Sequence, residues 1–114
     1  MQGSPAISDR IVLGDVELEV RARTVRRGSH EVDLTALEFD ILATFLRKPG
    51  QVITREELVK NVLGRDLVPI DRSIDVHISN LRKKLGPVPD GGNRIRNVRS
   101  VGYIYAIPSA PKKR

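Results

Sequence analysis

The 114-residue sequence contains no cysteine and no tryptophan, and its only aromatic residues besides histidine are two phenylalanines and two tyrosines, 4% of the chain. Without cysteine there is no disulfide framework and no thiolate zinc site, and two histidines are thin material for any other metal site. The shortage of aromatics weighs against a surface that stacks unpaired bases, the usual device of single-stranded RNA recognition. No apolar run approaches the roughly 20 residues that cross a bilayer, and no charged-then-apolar signal peptide opens the chain. Internal repeats and low-complexity blocks are also lacking. No nucleophile stands with a base in a recognisable arrangement, so a small enzyme is disfavoured and no cofactor or metal is expected. A chain of this length holds one domain, whose stability must come from an apolar core.

Acid is scarce in one part of the chain only. Residues 1–71 carry 10 basic and 12 acidic side chains, net −2, whereas residues 72–114 carry 10 basic and 2 acidic, net +8. The total of +6 favours an acidic partner such as nucleic acid, and the basic surface belongs to the last third. Residues 1–8 read as a flexible leader and 109–114, ending in Lys112, Lys113 and Arg114, as a basic disordered tail, leaving 9–108 as the domain.

Between those ends the pattern starts as strands. Ile11 to Leu13 precede a Gly14-Asp15 turn, and Val16, Leu18 and Val20 then alternate with Glu17, Glu19 and Arg21, the period of a half-buried strand. Short strands at Thr24 to Arg27 and His30 to Asp33, separated by Gly28-Ser29, complete an antiparallel meander. Its covering layer starts at Thr35 and Glu38, spaced as a capping box, with Leu34, Leu37, Ile41, Leu42, Phe45 and Leu46 at helical spacing and Pro49-Gly50 as the stop. A second capping box, Thr54 to Glu57, predicts a shorter helix bearing Leu58, Val59 and Val62 and stopped by Gly64. Leu63 to Ile70 reads as a loop, Asp71 caps a third helix from Arg72 to Leu85, and Gly86-Pro87 ends it. The chain then closes in a hairpin, Arg94 to Arg99 and Gly102 to Ile107, joined by Ser100 and Val101. Ile95 and Val98 lie three apart, which predicts either a bulge or a late strand start, and at least one of Tyr103 and Tyr105 belongs to the core.

The third helix carries the strongest signal. At about 100° per residue, Ile74, Ile78, Leu81 and Leu85 share one side, and Arg72, Val76, Ser79, Asn80 and Lys83 share the other. Ser73 and His77 flank one edge of that outer face, Asp75 and Arg82 the other. Asn suits adenine, Ser is a short adaptable hydroxyl, and Arg and Lys reach guanine or phosphate. Taken alone, such a face is more often a solvated surface. Its setting shifts the balance, because a helix and loop precede it and a hairpin with Arg94, Arg96 and Arg99, placed to grip phosphates, follows. Helix, turn, helix and wing is a DNA-binding order. Other candidates are weaker. Asp75 and His77 point to opposite flanks with no third metal ligand near, His30 reads as an ordinary surface residue, Glu56 and Glu57 complement a helix dipole, and Gly14, Gly28 and Gly86 are turn residues.

Five segments stand in one order: Leu34-Thr35-x-x-Glu38-Phe39; Pro49-Gly50-x-Val52-x-Thr54-Arg55-Glu56-x-Leu58; Asp71-Arg72-x-Ile74-Asp75-Val76-His77-Ile78; Leu81-Arg82-Lys83-Lys84-Leu85; and Val98-Arg99-x-Val101-Gly102-Tyr103. With them the chain from Leu34 to Ile107 resembles the DNA-binding effector domain of OmpR/PhoB-type two-component response regulators. Within that family, Val62 to Arg72 and His77 to Arg82 look most like the envelope-stress regulators. The resemblance implies an α+β fold: a winged helix-turn-helix with an N-terminal four-stranded antiparallel sheet, three helices and a C-terminal β-hairpin wing. By similarity Arg72, Val76, His77, Ser79, Asn80 and Arg82 contact DNA, with Ser73 and Lys83 close by. Thr54 is expected to meet a phosphate, and Asn97, Arg99, Gly102 and Tyr103 match wing positions near the backbone and minor groove, Arg99 foremost. The loop Gly64, Arg65, Asp66, Leu67, Val68, Pro69 and Ile70 matches the family segment that meets RNA polymerase.

Two departures from the family pattern bear on specificity. Leu63 stands where many members carry a tryptophan, and Ser79 and Asn80 stand where many carry arginines, so an A/T-leaning half-site is expected. The resemblance further implies tandem binding to direct repeats of double-stranded DNA, a cytoplasmic location with no membrane partner, and control by a receiver domain and a cognate sensor histidine kinase. A receiver has no room in this sequence, which therefore reads as an effector domain on its own. The alternative from another class is a basic RNA-binding module.

Overall fold

A computed structural model of the chain describes residues 10–63, 73–88 and 92–106. Strands β1 (Arg10–Leu13), β2 (Val16–Glu19), β3 (Thr24–Arg27) and β4 (His30–Val32) form an antiparallel meander in the order β1-β2-β3-β4. Register places Ile11, Leu18, Val25 and Val32 in one cross-strand row, and Leu13, Val16, Arg27 and His30 in the next row of the same face. Val16, Leu18 and Val25 are fully buried there. Arg27 thus starts from the covered side of the sheet, a position the alternation of the sequence does not mark as special.

Helix α1 (Ala36–Arg47) lies against this face and is buried on most sides, from Phe39 through Ile41, Leu42 and Ala43 to Phe45 and Leu46. Its capping box is complete. The Thr35 Oγ1 accepts from the Glu38 amide, while the Glu38 carboxylate accepts from the Thr35 amide at 2.9 Å. That carboxylate, 2% exposed, also accepts from Lys84 Nζ at 2.7 Å. Burial works against its charge, but Lys84 and the Thr35 amide prevail and hold Glu38 below the usual carboxylate range.

The second helix differs from the expectation. Only Arg55–Leu58 is α-helical (α2), and the chain continues as a wider π-helical turn over Val59–Leu63, which sets Leu58 and Val59 side by side in the core. Its capping box is half-formed. Thr54 accepts from the Glu57 amide, but the Glu57 carboxylate turns to Lys48 Nζ at 2.6 Å instead of returning to the cap. Residues Gly64 to Arg72, including the expected helix stop, the loop and the Asp71 cap, lie outside the described residues. Helix α3 (Ser73–Leu85) then follows the expected apolar face closely, with Ile74, Ile78, Leu81 and Leu85 all at most 1% exposed.

A strand that periodicity did not mark, β5 (Val52–Thr54), joins β6 (Ile95–Val98) and β7 (Gly102–Tyr105) in a second sheet ordered β5-β7-β6. Three residues are too few to show a period, which is why it reads as part of a loop. The β6–β7 ladder runs without a bulge from Ile95↔Tyr105 to Val98↔Gly102, so the odd spacing of Ile95 and Val98 reflects a late start and opposite faces. Both tyrosines are buried, Tyr103 at 7% and Tyr105 at 1% exposure, and Tyr105 packs at 6.2 Å from the Phe45 ring. β7 ends at Tyr105, and Ile107 lies outside the described residues.

Arg94 corrects the sequence reading most sharply. Expected to grip phosphate, it is 4% exposed, because its guanidinium is drawn inward to the Asp15 carboxylate at 2.6 and 2.8 Å. It also donates to the carbonyls of Gly86 and Pro87, both at 2.9 Å, just past α3. Arg27 donates to the Leu85 carbonyl at 2.5 Å. Gly86, at φ +72°, leaves room for that guanidinium, since a Cβ here would stand 2.6 Å from Arg27 Nη1. Two arginines therefore satisfy carbonyls that the end of a helix leaves unpaired.

Hydrogen bonding from Arg94 is the chief cause of a lowered Asp15 pKa, against opposition from burial. The stabilisation is therefore fully present above the ordinary value of 3.8 and fades as the pH falls through the lower folded value. Asp15→Asn, which strands the Arg94 charge, is expected to cost roughly 3 kcal/mol in urea unfolding at neutral pH and to flatten the acid limb of the stability profile. An unchanged acid limb would show that the pair is not the acid-sensitive element.

Candidate nucleic-acid interface

The outer side of α3 follows the helical arithmetic at Val76, Ser79 and Lys83, whereas Asn80, expected on that face, sits nearer its margin. Val76 is 56% exposed, Ser79 and Lys83 are exposed, and His77 and Asn80 are half-buried at the margins. Ser73 opens the helix, and Arg72 lies outside the described residues. Beside this face stands the hairpin, with Arg96, Asn97 and Arg99 exposed. Its three-residue tip, Arg99 to Val101, is closed by the Val101 amide donating to the Val98 carbonyl at 2.9 Å, with Ser100 in the left-handed region at φ +64°. Val101 is 47% exposed at that tip.

Side-chain bonds fix the angle between helix and hairpin. Arg82 donates through Nε to the Ile95 carbonyl at 3.0 Å and through Nη2 to Asn97 Oδ1 at 2.8 Å, with its guanidinium 5.8 Å from the Tyr103 ring centre. About two turns of helix earlier on the same edge, Asp75 accepts from Arg55 Nη2 at 2.8 Å and from the Tyr103 hydroxyl. The start of α2, the start of α3 and the middle of β7 thus meet at one carboxylate. Gly102 shows how close β5 approaches, because a Cβ there would lie 2.1 Å from the Ile53 carbonyl oxygen.

Of the residues expected to meet DNA, the fold brings Thr54, Val76, His77, Ser79, Asn80, Lys83, Asn97 and Arg99 to the two adjoining elements and the end of β5. Gly102 and Tyr103 are buried, their evident work being close strand packing and the bond to Asp75. Thr54, exposed at the cap of α2, lines with Asp75, Asn97, Arg99 and Tyr103 an open cleft of about 430 Å³ between the second sheet and the helix starts. Among the described residues, the cations of the last third divide accordingly. Arg82, Lys84 and Arg94 bind the molecule together, while Lys83, Arg96 and Arg99 face outward. The Arg55–Asp75–Tyr103 group had no signal in the sequence, for its members are 20 and 28 residues apart. Among the described residues no group of His, Asp or Glu could hold a metal ion.

Residues 29–105 match the family described as "Transcriptional regulatory protein, C terminal". The chain belongs to this family, in its OmpR/PhoB-type branch. This OmpR/PhoB-type domain is similar to the transcriptional regulatory protein CpxR of Escherichia coli (strain K12), at 41% identity over 84% of the chain and 44% of that protein. It is also similar to the DNA-binding response regulator MtrA of Mycolicibacterium smegmatis, at 38% identity over 89% of the chain and 44% of that protein. The chain therefore spans less than half the length of these curated relatives. Among solved structures it superposes on the DNA-binding domain of E. coli CpxR with a TM-score of 0.83 and 33% identity, covering 93% of this chain and all of that one. The Klebsiella pneumoniae RstA DNA-binding domain, solved in complex with RstA box, gives a TM-score of 0.78 and 37% identity, covering 85% of this chain and 96% of that one.

Burial first, and then the hydrogen bond to Asp75, pushes the Tyr103 hydroxyl up to about 12, against the pull of Arg55 and Arg82. Burial also raises Tyr105, in part offset by Arg94. Because the OmpR/PhoB-type domain has no other tyrosine, the near-ultraviolet phenolate signal of the folded chain is expected to stay small at pH 10, where a free phenol is about half ionised. Asp75→Asn is expected to lower the Tyr103 midpoint. A folded chain that titrates like free tyrosine would overturn the Asp75–Tyr103 contact.

Proposed function

We propose that this domain binds duplex DNA sequence-specifically as the effector domain of a response regulator that controls transcription, with α3 in the major groove and the β6–β7 wing at the adjacent minor groove. The observation that carries this reading is the two-sided α3, which buries four aliphatic side chains to 1% or less and presents Val76, Ser79 and Lys83 beside a hairpin bearing Arg96 and Arg99. A helix of ordinary diameter fits the major groove, where base edges are distinguishable. Within this reading Asn80 meets an adenine edge, Lys83 and Arg96 meet phosphates, and Arg99 enters the minor groove. The Thr54 hydroxyl, which already accepts from the Glu57 amide, still has its hydrogen to donate to a phosphate. Arg72, Ser73 and His77 extend the same face by position in the sequence.

Membership of the family supports a set of proposed partners. Tandem copies on direct repeats, RNA polymerase meeting the segment Gly64 to Ile70, and a receiver domain governed by a sensor histidine kinase in the cytoplasm complete the proposed role. None of the described helices is long and apolar enough to cross a membrane. The family is one of transcription-factor domains, not an enzyme class.

Selection of bound molecules from random pools of duplex DNA and of single-stranded RNA separates this reading from its RNA-binding alternative. Recovery of duplexes with an A/T-leaning direct repeat is expected; enrichment of RNA alone would reject the reading, and a G-rich half-site would reject the part assigned to Ser79 and Asn80. On the recovered site, Asn80→Ala is expected to relax preference at one base position by roughly 1–3 kcal/mol, whereas Arg99→Ala weakens binding with the major-groove preference intact. Identical effects of the two on every sequence would refute that division of labour.

A further inference from the structure

We infer that Arg82 is a positioning residue that locks the Asn97 amide into a donor-only orientation, so that Asn97 meets a DNA group that can only accept, a phosphate oxygen or the minor-groove edge of an A·T pair. This rests on the reading of the domain as a DNA binder. A guanidinium has five N–H donors and no acceptor, so the end of the amide that faces it can only be the oxygen. Arg82 Nη2 donates to Asn97 Oδ1 at 2.8 Å, and the same guanidinium is held in place through Nε by the Ile95 carbonyl at 3.0 Å. Its plane is thereby anchored at two points on β6. Asn97 remains exposed on the hairpin side of the cleft it shares with Thr54 and Tyr103, and with Oδ1 turned to Arg82 its Nδ2 is the end of the amide left to meet a ligand.

An unanchored asparagine offers either end and discriminates little. Once its oxygen is turned to Arg82, the end presented to the open side is Nδ2 with its two N–H donors. In the minor groove an A·T pair shows acceptors alone, whereas a G·C pair adds the guanine N2 amino donor, which opposes another donor. A phosphate oxygen likewise only accepts. One geometry thus serves both sources, and the sources are separable by chemistry on the DNA.

The test uses the 114-residue chain and the duplex recovered by selection, with each pair beneath the wing made G·C or inosine·C in turn, and each nearby phosphate replaced by a neutral methylphosphonate. Inosine removes only the N2 amino group. If the target is the minor-groove edge, the wild-type chain is expected to prefer inosine·C to G·C at one position by about tenfold; if it is a phosphate, one methylphosphonate is expected to weaken binding by about tenfold. In either case Asn97→Ala and Arg82→Ala abolish the effect, with thermal unfolding showing that each variant remains folded. Arg82→Gln, which offers the Asn97 amide both a donor and an acceptor and so lets it flip, is also expected to reduce the effect and decides the matter if Arg82→Ala does not fold. A response that persists in folded Arg82→Ala or Arg82→Gln overturns the positioning role, and a wild-type chain insensitive to both modifications overturns the inference as a whole. A chain that recovers no duplex fails earlier, at the proposed function itself.

Discussion

The end of α3 is where the parts of this molecule are held to one another, and the Arg94–Asp15 pair is the interaction that holds it. The attraction between two charges taken largely out of water offsets their lost hydration only if the remaining donors also find partners. Here the Gly86 and Pro87 carbonyls supply those partners. The pair spans 79 positions and joins the β1–β2 turn to the junction between helix and hairpin. Arg27 and the Lys84–Glu38 contact tie the same end of α3 to β3 and α1. The N-terminal sheet therefore does more than cover apolar surface: it fixes the helix from its C-terminal end and leaves the outer face clear.

Along the side of α3 that faces the hairpin, a different set of bonds sets the hairpin's orientation. Asp75 gathers Arg55 and Tyr103, and about two turns later Arg82 takes hold of Ile95 and Asn97. Cation, anion and phenol are arranged along the edge where helix and wing meet. The polar residues there carry internal structure, and the residues free to meet a ligand stand just beyond them. Net charge alone would not separate these two groups. Position in the fold does, because Arg94, Lys84 and Arg82 are bound internally while Lys83, Arg96 and Arg99 are not directed inward.

Much of this was legible in the sequence because it is periodic. The meander, the Thr35–Glu38 capping box and the apolar face of α3 each repeat a local rule over enough residues to be recognised, and the face opposite Ile74, Ile78, Leu81 and Leu85 follows from the same arithmetic. What was missed is short or non-local. β5 has three residues, and the π-helical turn after Leu58 changes the helical pitch where no proline or glycine marks it. Arg94 looked like its neighbours Arg96 and Arg99, because nothing in the surrounding residues announces a carboxylate at Asp15. The family resemblance named residues for an interface but could not tell those bound internally from those left exposed, as Arg82 and Tyr103 show.

The second sheet has a thermodynamic consequence as well. β7 lies between β5 and β6, with Thr54 paired to Gly102 at one end and Val52 to Ile104 at the other, so the cap of α2 and the wing belong to one packed piece. Association usually costs free energy for ordering loops and long side chains at the contact. In this molecule the relative placement of cap, helix and hairpin is already settled when the core forms. The conformational entropy of arranging them is lost on folding, and a ligand that fits the preformed surface meets that much less opposition when it binds.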